Sequence, residues 1–341
     1  MKKLKAYIVE IILALSIIVV FSIFGVFWKE MIEAISHANL WMIFLATLSF
    51  FGLLGVWCIR WKMFLKRQIK HISVKELFPI LLVGISINNL TPVARAGGEP
   101  VRAYLVKVKK GVSLAKTLAA TIAEMLPEVF SQIFTVMFSF TVAMLFFTLP
   151  LWLQGVFAVF VILSFGVCSS VFLFVNFNPE KPGKLVRFVQ KVLKKRFISI
   201  RKKLESWLGK FRYALKYSIE DKALVLKSLG ISLLLKCFDM LRIFLIFEAL
   251  GYKVTPVFLI VFLGIYLALL SVPLTPGAMG IAEGGSISVL LLLGVPASIA
   301  VAFIAIERAI TFWLPTVMGI VIACKYGISI RQEIRKIGVS K

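Results

Sequence analysis

Apolar residues in this chain follow one another for about 20 positions at a time, where barrel strands would show segments of roughly 10 residues with alternating polarity. Runs of that length suit helices that cross a hydrocarbon core of about 30 Å. The pattern predicts spans near 7–28, 40–59, 114–148, 151–177, 223–250 and 297–323. Two further apolar stretches, 77–106 and 255–293, are interrupted by Pro and Gly. The opening, Met1 to Lys5 followed by apolar Ile8–Trp28, imitates a secretory signal. Its apolar core is too long and no small-residue cleavage site follows, so it reads as a retained signal-anchor and first span.

Composition narrows the class. Of 341 residues 60% are hydrophobic and only 16% charged, which excludes a disordered chain and is foreign to an ordinary soluble enzyme. The net charge of +24 is clustered: residues 1–5, 60–76, 102–116, 178–222 and 325–341 hold 33 of the 40 Lys and Arg. Basic loops stay in the cytoplasm, which places both termini there and leaves Lys29 and Lys253 outside. Stretch 77–106 then leaves from and returns to the cytoplasm, and stretch 255–293 does the same on the outer side. The expectation is an all-α polytopic membrane protein of the cell membrane, one integral domain over 1–341. It has six full spans plus two opposed re-entrant hairpins (seven or eight hydrophobic segments by hydropathy) and both termini in the cytoplasm.

Residues 179–222 form the one sizeable hydrophilic segment. Ile200, Leu204, Trp207, Phe211, Leu215 and Ile219 recur at helical spacing with Lys and Arg between them, which predicts a basic amphipathic helix on the inner leaflet. Its expected partner is anionic membrane lipid rather than nucleic acid. Four scattered cysteines (Cys58, Cys168, Cys237, Cys324) and two histidines (His37, His71) supply neither a disulfide framework nor a metal site, and no cofactor is expected.

An internal repeat organises the rest. Thr91, Pro92, Ala94 and Glu99 recur as Thr275, Pro276, Ala278 and Glu283 at an offset of 184. With one deletion the offset becomes 183, and Gly111-Val112, Ala119 and Glu124 meet Gly294-Val295, Ala302 and Glu307. Each unit (77–148 and 255–323) reads as a hairpin with a Thr-Pro tip followed by a long span with a buried Glu. The expected topology turns one unit over relative to the other, the inverted repeat of many secondary transporters.

Charges inside apolar sequence are costly and tend to face a cavity or a partner. Here they are Arg95, Arg102, Lys236, Arg242 and Arg308 against Glu99, Glu124, Glu128, Asp239, Glu283 and Glu307. The excess of one carboxyl suits a protonated group that carries a proton. At the first tip Pro92 ends the limb, Gly97-Gly98 permits close backbone approach, and Glu99-Pro100 starts the returning helix. N–H groups of that start, beside Arg95 and Arg102, favour a phosphate, with Asn88 and Asn89 as amide donors and Thr91 at the turn. The second tip has Met279 where the first has Arg95, so Glu283 is expected to pair with Arg308 or with the basic residues of 223–250. On that span Lys236, Asp239 and Arg242 share one face. The candidate substrate-binding residues are Asn88, Asn89, Thr91, Arg95, Gly97, Gly98, Glu99, Arg102, Glu124, Thr275, Glu283, Glu307 and Arg308. No catalytic residue is expected, and no enzyme.

The strings Asn89-Leu90-Thr91-Pro92, Arg95 to Tyr104, and Pro273 to Gly284 resemble the two signature segments of the lysylphosphatidylglycerol synthase transmembrane-region family. The resemblance spans nearly the whole chain and implies movement of a phospholipid or polyprenyl-phosphate lipid between leaflets. The soluble aminoacyl-transferring half of its best-known members has no counterpart in this sequence, nor has a glycosyltransferase domain. The function expected is therefore a lipid translocator for an anionic lipid. The alternatives are a membrane subunit that moves nothing and partners a lipid-modifying or glycosylation enzyme, and a secondary transporter of a small anion.

Overall fold

The computed structural model describes residues 28–69, 71–91, 97–146, 150–176, 213–217, 219–271 and 275–338. Among the described residues every regular element is helical. The first span is outside them except for its last residue, as are Arg95 and residues 177–212 of the basic segment. The part of the surface helix that is described, 213–217 and 219–220, is helical, with Leu215 buried and Lys216 exposed.

The elements are α1 (Trp28–Ser36), α2 (Leu40–Leu65), α3 (Val74–Leu90), α4 (Gly98–Lys110), α5 (Leu114–Phe146), α6 (Leu151–Asn176), α7 (Lys222–Ala249) and α8 (Pro256–Leu270). A 3-10 turn (Pro276–Ala278), α9 (Ile281–Leu292), α10 (Ala297–Arg308), a π turn (Ala309–Trp313) and α11 (Leu314–Gly338) complete the order. Among the described residues three stretches are long and apolar enough to cross a membrane, Leu40–Leu65, Leu114–Phe146 and Ala297–Gly327. Helices α6 and α7, of 26 and 28 residues, coincide with two further expected spans. The interrupted stretches become the pairs α3/α4 and α8/α9. At 1.5 Å per residue these four helices are each about 18–26 Å long, short of the core thickness.

Local sequence sets the helix ends. Asn39 Oδ1 accepts the Trp41 amide at 3.0 Å to start α2, and Thr255 followed by Pro256 starts α8. Ser73 and Glu76 form a capping box at α3. Lys110, at the far end of α4, donates to Glu76 at 2.6 Å, tying the base of the pair together. That ammonium and the Ser73 amide hold the Glu76 carboxyl at about 2, well below its ordinary range. Gly111 closes α4 with φ 67° and Gly294 follows α9 with φ 83°, both in the left-handed region that glycine takes without strain. The two matched glycines of the repeat thus make the same kind of turn, and α5 and α10 begin at the matched positions Leu114 and Ala297.

The core forms where α2 packs on α7, α11 on α3, and α8 on α5. Phe247 of α7 stacks on Phe303 of α10 with ring centroids 4.2 Å apart. Helices α3 and α4 touch backbone to backbone: a Cβ on Gly98 would stand 2.1 Å from the Gly84 carbonyl oxygen, and one on Gly84 would meet the Arg102 stem at 2.5 Å.

Candidate functional site

The buried charges fall into two clusters, one for each sequence copy. In the first, Glu124 of α5 is fully buried and directs a single oxygen at three donors. Its Oε1 accepts from Trp57 Nε1 at 2.9 Å and Arg60 Nε at 2.8 Å, with Arg60 Nη2 2.7 Å away. Arg60 also donates to Glu128 and to Ser232 Oγ, and Lys236 of α7 reaches the other oxygen of Glu128. The free Glu124 oxygen faces Arg102, 3.6 Å away. Arg102 is buried, with its guanidinium 4.1 Å from the centre of the Trp61 ring. Its three nitrogens make no direct hydrogen bond, and Glu99 stands 3.9 Å off. In the second cluster Arg242 holds Glu307 with two parallel bonds of 3.0 Å and Asp239 with one of 2.8 Å. Arg308 donates to Glu283 Oε1 at 2.6 Å and to the Gly277 carbonyl at 3.0 Å. The pairing of Glu283 with Arg308, and the shared face of Lys236, Asp239 and Arg242, match the sequence expectations.

Between the clusters lies a cavity of about 460 Å³. Residues near the middle of α2, α5, α6 and α7 line it, together with the C-terminal half of α8, so it sits at mid-height of the longer helices. Its charged lining residues are Arg60, Lys236, Arg242 and Arg308 with Glu99, Glu124, Glu128, Asp239 and Glu307. Its apolar lining residues include Leu54, Ile133, Phe160, Leu163, Leu235 and Leu267.

The tips meet beside this cavity. Asn89, at the end of α3, donates to Thr316 Oγ1 at 2.8 Å and to the Phe312 carbonyl at 3.4 Å. That carbonyl belongs to the π turn. Gly277 (φ 56°) rests against the Phe312 ring and the Asn89 carbonyl, where a Cβ would come within 2.3 Å and 3.0 Å.

Of the residues singled out from sequence, Asn88, Asn89, Glu99, Glu124, Glu307 and Arg308 line the cavity. Arg102 and Glu283 stand behind them as partners. Thr91 and Thr275 serve their own tips, each donating at 2.8 Å to a backbone carbonyl, of Ile87 and Met279. Gly97 packs on Thr91. Two features of the first tip differ from the free phosphate cradle expected there. The Gly98 N–H is taken by Asn88 Oδ1 at 2.6 Å, and the Asn88 amide donates to Glu99 at 3.1 Å instead of projecting free. Arg102, behind Glu99 and Glu124, is engaged with the two carboxylates and Trp61.

Arg60 also departs from its expected place. Counted with the cytoplasmic loop, it is a buried residue of α2, because the helix continues to Leu65 past the apolar run. The charges in apolar sequence are then six of each sign, and the acidic excess that suggested a proton carrier disappears. Lys236, Asp239, Arg242 and Glu128 stand out in the sequence as buried charges but not as site residues. The helical spacing of the first three on α7, and of Glu128 one turn beyond Glu124 on α5, is the signal that could have marked them.

Long apolar helices around a charged central cavity define a multi-pass helical membrane protein. The chain belongs to the family described as the lysylphosphatidylglycerol synthase TM region, whose profile matches residues 7–319. Among similar proteins, a UPF0104 membrane protein of Methanothermobacter thermautotrophicus is 28% identical over 311 residues, 89% of this chain and 91% of the relative. UPF0104 membrane protein PH1989 of Pyrococcus horikoshii is 26% identical, covering 87% of this chain and 90% of its own length. MJ1595 of Methanocaldococcus jannaschii, likewise a UPF0104 membrane protein, is 26% identical over 92% of this chain and 93% of its own.

Proposed function

We propose that this protein is a lipid translocator of the cell membrane, without enzymatic activity, that passes a polar head group through the central cavity while the acyl chains stay in apolar surroundings. The observation that carries this reading is the mixed lining of the cavity, in which paired charges from both sequence copies stand among Leu, Ile and Phe. A small soluble anion would leave the apolar part of that lining without use, which favours a lipid. Aligned ion pairs in both copies suit a mechanism in which two units, inverted relative to each other, rock about a common site and exchange partners. In this reading α3/α4 and α8/α9 are hairpins entering from opposite faces, and the termini lie in the cytoplasm. The name of the matching family, a transmembrane region attached to a lipid synthase, supports a lipid as cargo and leaves open a lipid-modifying enzyme as partner.

The test is a leaflet assay on purified protein in liposomes, following access of labelled lipid to a membrane-impermeant quencher. Wild-type protein is expected to speed exposure, and Glu99→Gln and Arg95→Ala to slow it while the protein remains folded. Wild-type rates in both variants would remove the first tip from the mechanism, and no exposure of any lipid would leave the subunit reading.

A further inference from the structure

The charges on the cavity wall also bear on the head group, an inference that rests on the lipid-translocator reading. The described wall carries four cations and five carboxylates, so it has a formal charge of −1. Even a fifth cation would bring it only to balance. Each of the four cations already serves a carboxylate: Arg60 pairs with Glu124 and Glu128, Lys236 with Glu128, Arg242 with Glu307 and Asp239, and Arg308 with Glu283. An anionic head group would have to compete with a buried carboxylate for one of these cations, on a wall that already carries a net negative charge.

On α7 a donor and an acceptor with unused hydrogen-bonding capacity reach the cavity. The Lys236 ammonium has three donors and gives one to Glu128. Asp239 receives Arg242 on Oδ1, which leaves Oδ2 as an acceptor. The two residues are three apart on one face of α7, line the cavity, and have side chains 11% and 16% exposed, against 0% for Glu124 and Glu307. A donor and an acceptor thus stand side by side at the wall, and Gln132 and Ser271, also on the lining, are bonded to each other at 2.8 Å.

We propose that the cavity selects lipids whose head group carries no net charge and both donates and accepts hydrogen bonds, with Lys236 and Asp239 as the contacting pair. Such a group docks without breaking an ion pair. Two lipid chemistries supply it, a zwitterionic phosphoamine and an uncharged sugar.

The experiment uses the full chain in liposomes with acyl-chain-labelled phosphatidylglycerol, phosphatidylethanolamine and a monoglycosyl diacylglycerol. Retention of the same unlabelled lipids on the purified protein is measured in parallel by native mass spectrometry. At least one net-neutral lipid is expected to be exposed about tenfold faster than phosphatidylglycerol, a ratio that one poorly compensated charge sets easily. Retention should follow the same order, and the arm that gains identifies the head-group chemistry. Asp239→Asn, which brings the wall to four of each sign, should narrow the ratio severalfold, and Lys236→Gln should widen it. Phosphatidylglycerol moved and retained as well as the neutral lipids would overturn the proposal. If no lipid is exposed in any arm the translocator reading fails, and the retention order alone then decides the head-group preference: neutral first supports it, anionic first or no order overturns it.

Discussion

Glu307 stays fully buried because Arg242 meets both of its oxygens at 3.0 Å. Removing one member of such a pair leaves an uncompensated charge, whereas replacing both by apolar groups of similar size is often neutral. Arg242→Leu alone is therefore expected to lower stability by about 3–5 kcal/mol, and the double variant Arg242→Leu with Glu307→Leu to recover most of that. Thermal unfolding in detergent measures both, and a double variant as unstable as the single one contradicts the argument. The carboxylates Glu124 and Glu307 were legible in the sequence because a charge far inside an apolar run is conspicuous. Arg60 was not, because it stands where the apolar run gives way to Lys62 and reads as the start of a basic loop. Which cation serves which carboxylate is a matter of helix packing, and only Arg308 with Glu283 was foreseeable, as one of two options.

Between α3 and α4 there is no room for a side chain at Gly98, whose missing Cβ would enter the Gly84 carbonyl. Gly98→Ala is expected to cost about 1–3 kcal/mol as the helices are forced apart. Gly55→Ala, within α2 and with nothing inside 4 Å of the added carbon, should gain about 0.4–1 kcal/mol by restricting the unfolded chain. Unfolding midpoints of the two variants should move in opposite directions, and a shared direction would mean that the α3–α4 crossing is not the cause. Some helix limits track the hydropathy pattern within a few residues, as Leu114–Phe146 against 114–148 illustrates, whereas α2 and α11 run on past their apolar stretches to Leu65 and Gly338. The double glycine of the first tip signalled a close approach, whereas Gly84 carried no such signal, since its partner is reached only after the chain turns back. Pro79 and Pro127 lie inside α3 and α5, as membrane helices tolerate when neighbouring groups satisfy the freed backbone.

For the molecule as a whole, the proposed inversion predicts that equivalent turns face opposite sides. In a cysteine-free background, Ser113→Cys should react with an impermeant thiol reagent only from the cytoplasmic side, and Pro296→Cys, its match in the second copy, only from the outside. Both positions are exposed, and labelling of the two from one side would rule out the inverted arrangement. The matched Gly-Val turns were legible from the constant offset, and Gly111 and Gly294 both take positive φ. The meeting of the tips was not, because Asn89 finds Thr316 across more than two hundred residues through the π turn, which leaves no mark in hydropathy. Geometrically a π turn is an α-helix with one residue inserted, and each residue rotates the downstream helix by about 100°. Deleting any one residue of 309–313 would keep Glu307 and Arg308 in place but swing Thr316 and Gly319 more than a quarter turn away from α3. The second half of this chain therefore fits the first by its count of residues as much as by their identity, and a one-codon deletion there should be harsher than most substitutions.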